Sequence, residues 1–352
     1  NIKQMKIAIL LPYKENFSSE YPGSVSIFLK DIIKLSKYKN FVNIYGYTKF
    51  KNKFSKNYIN LNFKKKILFS TTKQYLLKFI QKTSNKNIHI LEIHNRPRYV
   101  KYLLKYFNNI VLYYHNDPLN QKGSEKVSDR MYLVSNLKFI IFNSNWTKKR
   151  FLYNLKLPLK LKKKLLVIHQ STDRTKVNLK KKKKIISFIG KLNTSKGYDI
   201  FGDALKKILI KYPDWKAVVI GDEQRENLNV RQKNYILLGF KKHKYIMNFL
   251  KNVNICVVPS RWEEPFGRIA LEASSRGCAL VISNKGGLRE AITNGIVIKK
   301  LNSTNLYNAI KKIIENPILM KKLQRDSLNN FTLTNKNAAF KIDNYRSQIL
   351  KF

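Results

Sequence analysis

The chain has 352 residues, more than one hydrophobic core serves well, since single cores stop growing near about 250–300 residues. Its 43% hydrophobic and 26% charged residues exclude a disordered chain. Lys plus Arg number 70 against 21 Asp plus Glu, a formal net charge of +49. Such a field attracts nucleic acid, anionic lipid and nucleotide phosphate alike, and a compositional bias toward Lys, Asn, Ile and Tyr accounts for it equally well.

From Met5, MKIAILLPYKEN passes quickly from an apolar run to charge, which fits a first buried strand and not a signal peptide. No run approaches the roughly 18 apolar residues of a spanning helix. Strands are then predicted at 42–47, 88–93, 110–114, 139–143 and 165–168, after a first at 6–11. Helices are predicted at 25–36, 73–82, 98–108 and 146–153 from their apolar spacing. The run NLKKKKK at 178–184 interrupts this alternation, and a like-charged stretch reads as a solvated linker. Beyond it, strands at 185–189, 217–220, 235–238, 255–258 and 279–283 alternate with helices at 197–211, 244–251, 266–275, 288–292 and 304–315. Alternation of this kind builds parallel sheets from βαβ units, so the expected class is α/β with two doubly wound halves and a ligand crevice at the carboxyl ends of the strands. The expected divisions are 1–172, a linker at 173–184, 185–335, and a last helix within 336–352 returning to the first domain. Cys256 and Cys278 both lie in apolar segments, so neither a disulfide framework nor a zinc site is expected, and a reducing, cytoplasmic compartment fits.

The most informative stretch is PSRWEEPFGRIALEASSRGCALVISNKGGLREAI, residues 259–292. Pro265 suits a first helical position, which would leave the amides of Phe266, Gly267 and Arg268 at the helix start to meet anions or sugar oxygens. Glu264 and Glu272, eight residues apart on such a helix, would differ by about 80° in direction and roughly 12 Å along the axis. A glycosidase needs its carboxylates about 5–10 Å apart across one bond, whereas this spacing suits two points on one long ligand.

This segment resembles the signature of retaining GT-B glycosyltransferases, specifically glycosyltransferase family four, in which two glutamates flank a PFG turn. The resemblance implies two Rossmann-like doubly wound domains facing across a cleft, with Glu264 at the donor hexose and Glu272 on the ribose hydroxyls. IISFIGKLNTSKGYDIFGDAL, residues 185–205, resembles the family's phosphate turn. There Gly190, Lys191 and Lys196 would hold the donor diphosphate, with Lys191 standing where an arginine is usual and so lacking its bidentate fork. VVIGDE at 218–223 and LLGF at 237–240, with Gly239 and Phe240, resemble the strand ends around the nucleotide base. In the first half, the loop ending at Gly23 before a helix resembles the family's glycine loop. EIHNRP at 92–97 and YHNDP at 114–118 place His94, Asn95, His115, Asn116 and Asp117 at strand ends. Of these, His115 resembles the histidine set against the donor sugar, and Asp117 either accepts from an acceptor hydroxyl or caps a turn.

No Asp-x-Asp pair occurs in the chain, so neither a metal nor a cofactor is expected. The expected activity is transfer of a hexose from a nucleoside diphosphate sugar, a UDP-sugar by resemblance, to a cell-envelope glycan or lipid-linked acceptor such as lipopolysaccharide. RYVKYLLKYF at 98–107 and KLPLKLKKKLL at 156–166 mix lysine with large apolar residues, as interfacial helices do. They make an anionic membrane surface a further expected partner. Two other functions compete: a GT-B-type nucleotide-sugar epimerase, and a basic nucleic-acid-binding protein. The latter has the net charge in its favour but no helix-turn-helix, RNA-recognition or zinc-finger signature, so no specific nucleic acid partner is expected.

Overall fold

The apolar runs of the first half align side by side as parallel strands. The computed structural model describes residues 5–63, 70–225, 230 and 232–351; residues 1–4 and 352 of the expected domain bounds lie outside these. The chain divides into two compact units, Asn1–Gln170 with Asn335–Phe352, and Ser171–Thr334.

The first unit runs β1 (Ile7–Leu10), α1 (Ser24–Leu35), β2 (Val42–Gly46), β3 (Tyr58–Asn60), α2 (Thr71–Thr83), β4 (Ile90–His94), α3 (Val100–Leu103), β5 (Ile110–Tyr114), α4 (Val127–Asn136), β6 (Phe139–Phe142), α5 (Asn145–Phe151), α6 (Leu159–Lys162) and β7 (Leu165–Val167). Its parallel sheet has the order β3-β2-β1-β4-β5-β6-β7, with Ile9 of β1 opposite both Ile44 and Glu92. A parallel sheet is covered on both faces, so its strands read as continuous apolar runs, and two hydrophobic clusters flank this one.

The second unit follows with β8 (Lys183–Ile189), α7 (Tyr198–Lys211), β9 (Lys216–Ile220), β10 (Tyr235–Leu237), α8 (His243–Leu250), β11 (Val253–Val258), α9 (Arg268–Ser275), β12 (Ala279–Ser283), β13 (Ile296–Ile298), α10 (Ser303–Glu315) and α11 (Pro317–Asn329). Its sheet, also parallel, is ordered β10-β9-β8-β11-β12-β13. In each unit the strand order reverses once, at β1/β4 and at β8/β11. The residues just past those strands occupy the switch point where such sheets take ligands.

The last helix, α12 (Asn335–Leu350), packs on α1 in the first unit. A charged knot holds it there. Glu92, buried at the centre of β4, accepts from Arg346 Nε at 2.7 Å and Nη2 at 2.8 Å and from Tyr345 Oη at 2.7 Å. Asp343 accepts from Ser36 Oγ at 2.5 Å and from the Lys37 amide at 2.8 Å, pinning the carboxyl end of α1.

Several elements differ from expectation. The helix expected over 98–108 is a 3-10 turn at Pro97–Tyr99 followed by the four-residue α3, because the amides of Tyr106 and Phe107 both turn back to Leu103 O and close the helix there. The lysine run is only partly a linker, since β8 starts inside it at Lys183. Lys182 Nζ is drawn onto the carbonyls of Val253 (2.7 Å) and Leu250 (3.2 Å), and burial lowers its pKa. The segment 288–292 is a 3-10 helix, Leu288–Ala291. Strands β3 and β13 and helices α4, α6 and α11 had no counterpart in the predicted pattern. Among the described residues no helix is long and apolar enough to cross a membrane. Cys256 and Cys278 are buried and free.

Candidate functional site

In the second unit most of the expected site residues follow β8 and β11, the two strands at its switch point, while Gly239 and Phe240 follow the edge strand β10. After β8 the chain turns through Gly190 (φ 155°). Gly221 lies against it so closely that a Cβ there would fall 1.8 Å from Gly190 O. Asn193 caps the 3-10 turn Thr194–Lys196 by accepting from the Lys196 amide at 3.1 Å. Gly197 then enters α7 at φ 71°, where a Cβ would sit 1.8 Å from Pro259 O. The turn therefore abuts the end of β11, and Ser195 O accepts from the amides of Arg261 (2.9 Å) and Trp262 (3.0 Å).

This fit brings two of the expected residues into contact. Lys196 Nζ is 2.5 Å from Glu264 Oε1, which also accepts from Ser260 Oγ at 2.9 Å. Ser260 is itself held by Ser283 Oγ, which donates to its carbonyl at 2.6 Å. Lys191 Nζ reaches Glu223 Oε1 at 2.6 Å instead, and that pairing lowers the Glu223 pKa. In a chain with 70 cations against 21 carboxylates, both lysines of this turn hold a carboxylate.

Glu264 is not on the helix. α9 begins at Arg268, with Gly267 before it at φ 99°, so Pro265 is not its first residue and the inferred 80° and 12 Å do not apply. The cause is glycine geometry. At Gly267 a Cβ would lie 2.3 Å from Leu288 Cδ2, and at Gly286 (φ 57°) one would lie 2.1 Å from Glu264 O. The loop carrying Glu264 is thus clasped by backbone, with Gly287 N donating to Glu264 O at 2.6 Å. The Phe266 ring is buried in the core, so only its main chain faces the loop.

Glu272 is buried on α9, with Arg268 Nε 2.7 Å and His243 Nε2 2.8 Å from its Oε1. Burial alone would raise its pKa, but the neighbouring Arg268 and His243 outweigh that and lower it. His243 carried no sequence signal; only the fold sets the start of α8 against α9. Gly239 (φ 65°) has open space where a Cβ would be, and Phe240 beside it is exposed.

In the first unit, α1 starts after Gly23, but the helix start is already occupied by Glu15. Its Oε1 accepts from the Ser26 amide at 2.8 Å, and a Cβ on Gly23 would collide with that carboxylate. His94 and His115 are brought together at the ends of β4 and β5, His94 Nδ1 2.9 Å from His115 Nε2. His115 Nδ1 lies 3.4 Å from Gln170 Nε2, and the ring stacks on Tyr113 at 4.3 Å. Both nitrogens of His115 therefore have internal partners, and the ring is enclosed. Asn95 (φ 57°) accepts from the amides of His115 and Asn116, leaving Asn116 itself exposed. Asp117 caps a turn through the Leu119 amide and pairs with Arg150 Nη2 at 2.9 Å, so its carboxylate is already engaged.

The histidine pair makes the first unit acid-sensitive. Burial, with the nearby Arg346 charge, pushes His94 down to about 3, and burial with His94 lowers His115 well below its ordinary value. Because each folded-state pKa lies below the unfolded value near 6.5, the unfolded chain takes up protons first. Stability is full above about pH 6.5 and falls as pH drops below it. Melting followed from pH 7 to pH 5 should show this decline, with a shallower slope in His94→Phe; an unchanged slope would remove the pair as its cause.

The family comparison falls on the second unit, and the structural comparisons span both. Residues 169–329 match the family Glycosyl transferases group 1. The uncharacterized glycosyltransferase MJ1607 of Methanocaldococcus jannaschii is 29% identical over 185 residues, 49% of this chain and 47% of that protein; the chain spans under half the length of the curated relatives it matches first. The structure of Anabaena Alr3699/HepE in complex with UDP and glucose superposes with a TM-score of 0.76 at 18% identity, covering 97% of this chain and 99% of that one. Sucrose-phosphate synthase from Thermosynechococcus elongatus gives a TM-score of 0.74 at 16% identity over 98% and 99%. The fold is α/β with two parallel-sheet, Rossmann-like units of the GT-B kind.

Proposed function

We propose that the chain is a retaining glycosyltransferase of family four that needs no metal and moves a hexose from a UDP-sugar to a cell-envelope glycan or lipid-linked acceptor, lipopolysaccharide being one such. The observation that carries this reading is the Lys196–Glu264 contact at the switch point of the second sheet, made by two residues 68 positions apart. The family match over residues 169–329 supports the transferase class, and the UDP and glucose bound by HepE support the donor.

In this reading Lys191 and Lys196 exchange their carboxylates for the donor diphosphate and stabilise the departing charge. Glu264, released from Lys196, faces the hexose. Glu272 takes the ribose hydroxyls, Arg268 lies beside it, and the open surface at Gly239 and Phe240 takes the base. Gly190 and the main chain at Phe266 and Gly267 line the phosphate path. Gly23, His94, Asn95, His115, Asn116 and Asp117 shape the first unit's strand ends, His115 by orienting its neighbours, since its ring nitrogens have partners of their own. The acceptor hydroxyl attacks from the face the nucleotide leaves, and a diphosphate oxygen takes its proton.

A membrane-associated acceptor is supported by the first unit, where Tyr102 and Tyr106, 51% and 58% exposed, adjoin Lys101 and Lys105. One experiment tests donor, acceptor and surface together: a panel of nucleotide sugars incubated with anionic vesicles carrying envelope lipid extract. Nucleotide release that needs both a UDP-sugar and extract, and vesicle sedimentation that is lost in high salt, are the expected results. Conversion of the nucleotide sugar with no acceptor present would favour an epimerase, and binding that persists unchanged in high salt would remove the electrostatic surface.

A further inference from the structure

The Glu272 carboxylate is held lopsidedly. Among the described residues both of the side chains that contact it approach Oε1, and no hydrogen bond reaches Oε2. The two contacts are unlike. Arg268 Nε lies 2.7 Å from Oε1 as an ion pair, yet Nε and Nη2 of this nine-tenths buried side chain make no hydrogen bond. Its charge is close to the carboxylate but its N–H vectors point elsewhere. His243 Nε2, at 2.8 Å, supplies the directional bond. A carboxylate kept ionised accepts and does not donate, so His243 donates from Nε2.

We propose that His243 is a positioning residue: by donating to Oε1 it sets the rotation of the Glu272 carboxylate so that Oε2 presents to the hydroxyls of a ribose, while the unbonded Arg268 Nη2 offers a donor to an acceptor atom of the same ligand. This inference rests on the nucleotide-sugar reading and deepens it. Three features carry it. A buried carboxylate with one oxygen saturated and one unbonded wants a donor, and a vicinal diol is a neutral donor pair. A buried guanidinium with orphaned N–H groups wants an acceptor. The two lie one helical turn apart on α9, at i and i+4, so one ligand reaches both. His243 comes from a different helix, α8, and therefore acts as an external clamp on a side chain that α9 alone would leave free to turn about its last torsion.

The test is calorimetric binding of UDP and 2′-deoxy-UDP to the full chain and its variants. Wild type should prefer UDP by about tenfold or more, the scale of one hydrogen bond to a charged group. His243→Leu should reduce that preference to about twofold, and His243→Gln, which keeps a donor, should restore most of it. A purely structural role would weaken both nucleotides equally and leave the ratio intact. If His243→Leu keeps the full preference while Glu272→Gln loses it, the positioning role is wrong and the donor reading stands. If wild type binds both nucleotides equally, the ribose role of Glu272 is wrong. If it binds neither, the donor reading and this inference fall together. Should His243→Leu not fold by its melting curve, His243→Asn, too short to reach Oε1, takes its place with the same expected loss.

Discussion

Glu264→Gln should lower nucleotide release from the preferred donor by about 10²–10³-fold, the cost of removing one preorganised charged group from a reacting centre. Lys196→Ala should do the same. In the ligand-free protein each of these side chains satisfies the other at 2.5 Å, so the two substitutions should not add. Residues in contact couple, so the effect of the double variant should differ from the sum of the two single effects. Steady-state release by all three variants, beside UDP affinity by calorimetry, checks this. Lys196→Ala should weaken UDP binding and Glu264→Gln should not, since the proposal sets the first against phosphate and the second against the sugar. Release at wild-type levels in either single variant would defeat the assignment.

The second large effect concerns stability. Arg346→Met should destabilise the first unit by about 3–5 kcal/mol, because it leaves Glu92 as an uncompensated charge in a sheet interior. Both partners are about 1–3% exposed and meet through two short bonds. Pairing Arg346→Met with Glu92→Leu should recover most of that loss, since an apolar pair of similar volume replaces a buried ion pair at little cost. Denaturant titration checks it when a probe in the first unit is followed, as two units need not unfold together. A loss below about 1 kcal/mol in the single variant would show that water reaches Glu92.

How much of this was legible beforehand depends on the range of the interaction. The strands of both sheets stood out because a parallel strand is buried on both faces and so carries an unbroken apolar run; IAIL, IVLYY and ALVIS are of that kind. Strand β3, three residues within a lysine-rich stretch, offers no such run. Helix α11 was marked by Asn316 as cap and Pro317 behind it, a start signal that the helix pattern passed over. Helix α4 hides a buried Arg130, whose Nη1 donates to Phe151 O and Tyr153 O; an arginine on the core face blurs the periodicity that would reveal the helix.

The site divides in the same way. By itself the sequence determined the α/β class, the two-unit organisation implied by alternation, and the string around Glu264 and Glu272 with the glycines that close it, because those are set by local pattern and by which residues tolerate left-handed backbone. Only the tertiary structure decided that Glu264 stands on a loop ahead of α9, that Lys196 meets it, that His243 clamps Glu272, and that Glu15, Asp117 and His115 are engaged internally. Each of those contacts joins residues from different elements, 11 to 68 positions apart. Side chains that far apart along the chain are brought within bonding distance by the packing of sheets and helices, which no local stretch of sequence encodes.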